Sequence, residues 1–218
     1  MSRTTSFALL PVALAFAAFP IGKARAAEED TQFWTILTLE GSPAEDVSAS
    51  FEINPRLRSD AAGGELVQTR VAVDYRIAPS ISVGGGALYS EFAGGHEFRP
   101  HQQVTFSTGR LSFRTRLAQR FFNDADRMEL RIRQRVQTAQ ALGEGTSVAA
   151  SGELYYILRS RRPERDAHVD QWRANLTLRR SIDAGLTGSL GYLLILVPVP
   201  NQTNRVSHVA QLGLTLRL

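Results

Sequence analysis

Two neighbouring stretches of the chain decide the fold: Leu111–Phe121, which reads LSFRTRLAQRF, and Arg127–Thr138, which reads RMELRIRQRVQT. In both, one alternate set of positions is mostly apolar, and the other set is mostly arginine. Alternation with a period of two is the pattern of a β-strand, whose side chains point to opposite faces in turn. The two stretches therefore predict two strands, each with one apolar face and one face rich in arginine.

The same stretches predict how the two strands pair. A four-residue loop, Asn123–Asp126, would place Phe122 opposite Arg127. The arginines of both strands then share one face without any adjustment of the register. The facing pairs are Arg120 with Glu129, Arg116 with Arg133, and Arg114 with Arg135.

Alternation continues through the rest of the chain, and no convincing amphipathic helix appears. The other well-patterned segments are Val47–Leu57, Leu66–Ile77 and the last residues up to Leu218. Turn sequences such as Ala78-Pro79-Ser80 and Asp183-Ala184-Gly185 separate the segments. Weaker strand patterns occur at Gln32–Glu40, Ser80–Phe92, Phe98–Thr108, Ser147–Arg159, Gln171–Arg180 and Gly185–Val197. These eleven segments predict a single all-β domain.

The apolar faces could line the core of a soluble, lipocalin-like barrel or face the lipid around a transmembrane barrel. Most segments have 10–13 residues, which matches the roughly 9–11 residues of a strand that crosses a bilayer. A barrel much larger than about eight strands would leave a soluble core unfilled. The sequence thus predicts an antiparallel up-and-down transmembrane β-barrel. Because bacterial barrels of this kind have even strand numbers, 10 or 12 strands are expected, with Gln32–Glu40 as the uncertain crossing.

The first 26 residues have the layout of a secretory signal peptide. Arg3 is the sole charge before the apolar run Phe7–Phe19, and the small-x-small sequence Ala24-Arg25-Ala26 follows. Phe7–Ile21 is too short for a membrane-spanning helix. We expect cleavage near Ala26, residues 27–218 as the barrel, and the Gram-negative outer membrane as its location.

Composition and charge exclude several classes of protein. The chain has 218 residues, 43% hydrophobic and 21% charged, and no cysteine, which rules out disulfides, cysteine-bound metals and a thiol nucleophile. The net charge of +4 suggests a nucleic-acid partner, but the signal peptide takes Arg3, Lys23 and Arg25 with it. The 22 remaining arginines against 21 acids leave +1, and neither nucleic acid nor a cofactor is expected as a partner.

Short motifs along the mature chain resemble a known family in their order. They are Thr31-Gln32-Phe33-Trp34-Thr35, His96-Glu97-Phe98-Arg99-Pro100-His101-Gln102-Gln103, Arg114-Thr115-Arg116-Leu117-Ala118-Gln119-Arg120-Phe121, Asp170-Gln171-Trp172-Arg173 and His208-Val209-Ala210-Gln211-Leu212-Gly213-Leu214. The chain is similar to the bacterial family catalogued as domain of unknown function 2490. The resemblance implies an outer-membrane barrel and no activity. Such barrels usually end in an aromatic residue read by the barrel-assembly machinery, so Leu218 implies a weaker assembly signal.

If the apolar faces point outward, the opposite faces line the lumen and concentrate positive charge there. The arginines assigned to the lumen are Arg56, Arg58, Arg70, Arg76, Arg99, Arg110, Arg114, Arg116, Arg120, Arg127, Arg131, Arg133, Arg135, Arg173, Arg179 and Arg217. The acids on the same faces are Glu52, Asp74, Glu129 and Glu153. The predicted lumen therefore carries about +12, and the rest of the mature chain about −11.

Three functions fit this charge distribution, and the sequence leaves them open. Loop acids such as Glu97, Asp124 and Asp126 could fold in and complete an interior packed with ion pairs. Alternatively, the lumen is a narrow passage or binding cavity that prefers anions. The residues predicted to contact a small anionic solute are Arg70, Arg76, Arg99, Arg110, Arg114, Arg116, Arg120, Arg131, Arg133, Arg135 and Arg173.

The third function is a lipid-modifying hydrolase, for which His96 and His101 are the candidate bases beside Ser107 and Ser112. Histidine in a barrel is more often a polar filler, and this pair lacks clear metal-binding partners. We therefore expect that the protein is not an enzyme.

Two surface features complete the sequence-based predictions. An outer loop carries Arg159, Arg161, Arg162 and Arg165, which could bind lipopolysaccharide phosphates or pair with Glu164, Asp166 and Asp170. Outer-membrane lipids and lipopolysaccharide are the expected surroundings. The aromatic residues predicted for the interfacial girdles are Trp34, Tyr75, Tyr89, Phe92, Phe121 and Tyr192.

Overall fold

A computed structural model describes residues 28–165, 167–200 and 203–218 of the chain. The predicted signal peptide and its cleavage site lie outside these residues. In the described part, no helix is long and apolar enough to span a membrane. The strands there are β1 Glu28–Ala44, β2 Val47–Leu57, β3 Leu66–Ala78, β4 Ile81–Phe92, β5 Gly95–Thr108, β6 Leu111–Phe122, β7 Glu129–Gly143, β8 Thr146–Arg159, β9 His168–Asp183, β10 Leu186–Val197 and β11 Arg205–Arg217.

The strands of the described residues form a closed barrel in which each is antiparallel to the next. The barrel closes between β1 and β11, which run parallel, with Glu28 beside Arg205 and Glu40 beside Arg217. The prediction of 10 or 12 strands, all antiparallel, is therefore wrong. Gln32–Glu40 belongs to a full crossing that pairs with β2 on one side and β11 on the other. An odd number of up-and-down strands leaves the first and last running in the same direction, so this contact must be parallel.

The pairing predicted for the central hairpin is confirmed. Arg120 lies opposite Glu129, and the two arginine pairs, Arg116 with Arg133 and Arg114 with Arg135, are register partners of β6 and β7. Because a shift by one residue would turn every arginine to the other face, this register fixes which side of the hairpin is charged.

Apolar side chains cover the outside of the barrel, and polar side chains fill the inside. Val71, Leu190 and Tyr192 have about half or more of their surface exposed, whereas Arg116 and Arg131 are buried. This arrangement is the reverse of a soluble barrel. An apolar band that encircles a closed barrel is stable when hydrocarbon surrounds it.

The two ends of the barrel differ in their connections. At one end, which we call the tight-turn end, two-residue turns at 45–46, 79–80, 109–110, 144–145 and 184–185 join the strands. Gly109 and Gly185 have φ of 56° and 79°, the left-handed conformation that such turns require. At the other end, the loop end, the connections occupy 58–65, 93–94, 123–128, 160–167 and 198–204. The turns predicted at Ala78-Pro79-Ser80 and Asp183-Ala184-Gly185 thus share one end.

Candidate functional site: an arginine-lined lumen

A cavity of about 800 Å³ runs inside the barrel. Its lining reaches from Glu40 and Arg217 at the tight-turn end to Ala62 and Phe92 at the loop end. Thirteen arginines and four glutamates contribute to the lining, so the wall carries a marked excess of positive charge. They are Arg56, Arg58, Arg70, Arg99, Arg114, Arg116, Arg120, Arg131, Arg133, Arg135, Arg173, Arg179 and Arg217, with Glu40, Glu52, Glu97 and Glu153.

Some lumen arginines have carboxylate partners. Glu97 is 3% exposed and accepts hydrogen bonds from Arg99 at 2.7 Å and from Arg120 at 2.6 Å. Arg120 also binds Glu129, which is buried beside it. Because Glu97 lies on β5, it is a residue of the barrel wall rather than of a loop, and it binds two guanidinium groups at once.

Further pairs lie elsewhere on the wall and at its loop end. Arg70 binds Glu52 across β2 and β3, and Arg131 donates to Asp170 at 3.0 Å. Asp170, which the sequence assigned to an outer loop, therefore takes part in the interior charge balance. Asp124 stays at the loop end, where Arg161 donates to it at 2.9 Å, and Asp126 is exposed.

Three of four neighbouring arginines on β6 and β7 share a single carboxylate, and we call the four, Arg114, Arg116, Arg133 and Arg135, the arginine cluster. Glu153 binds Arg133 and lies 3.3 Å from Arg135 and 3.9 Å from Arg114. Arg116 instead donates to the Gln103 amide oxygen at 2.6 and 3.0 Å. The buried Nε atoms of Arg114 and Arg133 have no partner in the described part of the chain. The cluster thus holds four cations against one carboxylate.

A hydrogen-bond chain positions Arg116. The Asp74 carboxylate accepts from the Gln103 amide at 2.6 Å, which turns the amide oxygen toward the guanidinium. Asp74 lies over Gly84 of β4, where a Cβ would collide with its carboxylate. The glycine is therefore required for the close approach of this side chain.

Aromatic rings hold several guanidinium groups of the lumen. The Arg56 guanidinium lies 3.6 Å from the Trp34 ring centroid, and Arg173 lies 4.7 Å from the Tyr155 ring. Arg131 and Arg133 also lie over Tyr155, at 5.0 and 4.8 Å. Cation–π contacts of this kind stabilise a guanidinium without cancelling its charge.

The lumen is also asymmetric. Trp34, Leu193, Ile195 and Val209 form a buried apolar cluster on β1, β10 and β11. Strand alternation does not predict this apolar wall, because the second half of β10 is apolar on both faces. The prediction that Trp34 and Phe92 belong to the interfacial girdles is wrong, since both line the cavity.

Several arginines assigned to the lumen lie at its ends. Arg76 is exposed at the tight-turn end and donates to Asp46 at 2.9 Å. Arg110 occupies the exposed turn after β5, and Arg127 is exposed in the connection before β7. These three do not line the cavity, because Arg76 lies at the end of β3 and strand alternation does not extend into the connections that hold Arg110 and Arg127. Arg58 lies in the connection after β2 and donates to the backbone carbonyl groups of Gly63 and Gly64.

The two histidines that could have formed a catalytic site are not brought together. His96 lies on the outside and stacks on Tyr89 with ring centroids 5.8 Å apart. His101 is 2% exposed and lines the lumen. Ser107 and Ser112 share a hydrogen bond of 3.4 Å near the tight-turn end of the barrel. His96 lies at the other end, where β5 begins.

A closed barrel with an apolar outside and a charged lumen defines a porin-like β-barrel. Residues 31–206 match the family described as protein of unknown function (DUF2490), and the chain belongs to that family. Among solved structures, the fold is similar to that of the NanC porin in a rhombohedral crystal form, with a TM-score of 0.60 and 14% sequence identity. That match covers 86% of this chain and 97% of the other. No curated protein matches the sequence.

Proposed function

We propose that the lumen is a narrow passage or binding cavity that prefers anions, in a barrel of the Gram-negative outer membrane. The observation that carries the proposal is the lining itself, with thirteen arginines and four glutamates. Guanidinium groups keep their charge at any physiological pH, and rings of arginine select anions and phosphates. A small anion inside this wall therefore meets a fixed positive potential along the cavity.

The distribution of partners supports this function over an interior that is only packed. Arg70, Arg99, Arg120 and Arg131 have carboxylate partners, with Glu97 shared between Arg99 and Arg120, as a structural network would require. Arg56, Arg116 and Arg173 instead donate to amide oxygens in the described structure. An amide satisfies the hydrogen bond but leaves the charge in place. These arginines supply the excess charge that an anion would meet.

The arginine cluster is the strongest candidate for an anion-binding position. Arg114 faces Arg135, and Arg116 faces Arg133, directly across the two strands. Like charges directly opposite each other on paired strands are destabilising. An anion between them would relieve this repulsion, which Glu153 relieves only in part. The geometry thus favours occupancy by a small oxyanion or by chloride.

The outer-membrane location rests on three supporting features. The outside of the barrel is apolar, the fold is porin-like, and residues 1–26 have the pattern of a signal peptide. A barrel that is exported and surrounded by lipid is consistent with all three.

The proposal is tested by measuring the reversal potential of the purified protein in a planar bilayer under a KCl gradient. An anion-preferring lumen gives a reversal potential of the sign set by chloride. A cation preference would contradict the proposal, and the absence of any conductance would favour the alternative, a structural barrel packed with arginine–carboxylate pairs.

A further inference from the structure

Four polar side chains lie on the outside of β5, β6 and β7, and we call Gln102, Thr115, Gln119 and Gln134 the amide patch. They occupy the central parts of their strands, next to apolar register partners such as Leu117 and Leu130. Strand alternation puts them on the same face as Val104 and Phe113, which are exposed. Polar groups thus interrupt the apolar surface midway between the two ends of the barrel.

Polar side chains are costly at this position. Hydrocarbon offers no hydrogen bonds, so an amide that faces it must find partners within the protein. The outward positions of β2, by contrast, are apolar along the whole strand from Val47 to Leu57. The amide patch is therefore a local feature that the barrel fold does not require.

Hydrogen bonds within the amide patch satisfy only some of its donor and acceptor groups. Gln119 donates to the Gln102 oxygen at 3.1 Å, and Thr115 donates to the Gln134 oxygen at 2.9 Å. The NH₂ groups of Gln102 and Gln134 donate to no residue of the described structure. The Gln119 oxygen is buried and likewise has no donor there. One barrel thus leaves two donor groups and one acceptor without partners.

We propose that the outer wall of β5–β7 is an interface with a second copy of this chain. Because a glutamine side chain carries both a donor and an acceptor, the amide patch is complementary to itself when two copies meet about a two-fold axis. Lipid cannot supply these hydrogen bonds at the centre of the bilayer, whereas the same patch on another barrel can. This inference does not depend on whether the lumen conducts.

Aromatic residues on both sides of the amide patch provide apolar contact area for such an interface. Phe98 and Phe121 lie toward the loop end, and Phe106 and Phe113 lie toward the tight-turn end. All four are 39–47% exposed, and the last two stack with centroids 6.4 Å apart. The wall therefore has an amide centre between aromatic groups, an arrangement suited to protein contact inside a membrane.

Site-specific crosslinking tests the interface directly, because the chain has no cysteine. Gln134→Cys and Gln102→Cys each place one thiol in the amide patch, and Leu190→Cys places one on the outward face of β10 as a matched control. On oxidation in native membranes, we expect disulfide-linked dimers from the two patch variants and none from the control. Equal crosslinking of all three, or no dimer from either patch variant, would overturn the proposal.

A second measurement is the mass of the protein in mild detergent, determined by light scattering. We expect the wild type to be a dimer and the variant Gln102→Leu/Gln119→Leu/Gln134→Leu to be a monomer. The shift of the folded barrel on an unheated gel shows whether the variant has folded. A monomeric wild type that also fails to crosslink would show that this wall faces lipid alone.

Discussion

Glu153 lies within 4 Å of three guanidinium groups, those of Arg114, Arg133 and Arg135. It also accepts a hydrogen bond of 3.0 Å from the Tyr155 hydroxyl, whose ring supports further arginines. Removing the Glu153 carboxylate leaves buried guanidinium charges uncompensated. The resulting loss of folding free energy is larger than the net contribution of the ion pair itself.

Glu153→Gln is therefore expected to lower the free energy of unfolding by about 3–5 kcal/mol, the range for a broken buried ion pair. Urea titration of the protein in lipid vesicles measures this change. Asp46→Asn is the matched control, because its pair with Arg76 is exposed and should contribute about 1 kcal/mol or less. Similar losses of unfolding free energy in the two variants would show that Glu153 does not stabilise the barrel by binding the buried arginines.

Individual residues also show how much of the arginine-lined lumen could be predicted from the sequence. The arginines of β6 and β7 were assigned to the lumen from alternation, and the structure places them there. Alternation gives the face of a residue in a strand but not its partner on a distant strand, so the Arg131–Asp170 contact was not predicted. Trp34 was assigned to the wrong face because an aromatic residue suits both a membrane interface and a cation–π contact.

At the scale of elements, the parallel contact between β1 and β11, which we call the seam, could not be predicted from the sequence pattern. Alternation and turn residues reveal strands and tight hairpins, because both are local. Barrel closure is a long-range property, and the expected even strand number came from a general rule rather than from this chain. The parallel register, with Phe33 beside Ala210 and Leu37 beside Leu214, is therefore a result of the structure alone.

Paired cysteines test the direction of this seam. In a parallel register, Phe33→Cys with Ala210→Cys and Leu37→Cys with Leu214→Cys are both in position to form a disulfide. We expect both double variants to oxidise within one chain, as measured by mass and by gel mobility with and without reductant. Antiparallel closure would bring one pair together and separate the other, and that result would contradict the parallel seam.

At the scale of the whole molecule, the net charge conceals how the charges are arranged. The chain carries +4 in total, yet thirteen arginines and four glutamates line one cavity. Acids such as Glu144 and Asp183 lie instead at the exposed tight-turn end. The barrel separates the two populations because the arginines occupy inward-facing strand positions, whereas these acids lie in a turn and at the end of a strand.

Export of the chain, directed by residues 1–26, is also a prediction about the whole molecule. N-terminal sequencing of the protein isolated from the outer membrane should begin at Ala27, because the small residues Ala24 and Ala26 fit a signal-peptidase site. A chain without residues 2–26 should stay in the cytoplasm. A membrane-bound protein that keeps its N-terminal 26 residues would contradict this expectation.

The proposed anion preference rests on lumen arginines without carboxylate partners. Its most direct test compares the reversal potential, under one KCl gradient, of the wild type with that of Arg116→Gln/Arg173→Gln. This variant removes two lumen charges and leaves no carboxylate unpaired, and Arg110→Gln/Arg162→Gln removes two exposed charges as its control. We expect the first variant to move the reversal potential toward zero and the control to leave it unchanged. Equal anion preference in all three proteins would contradict the proposal.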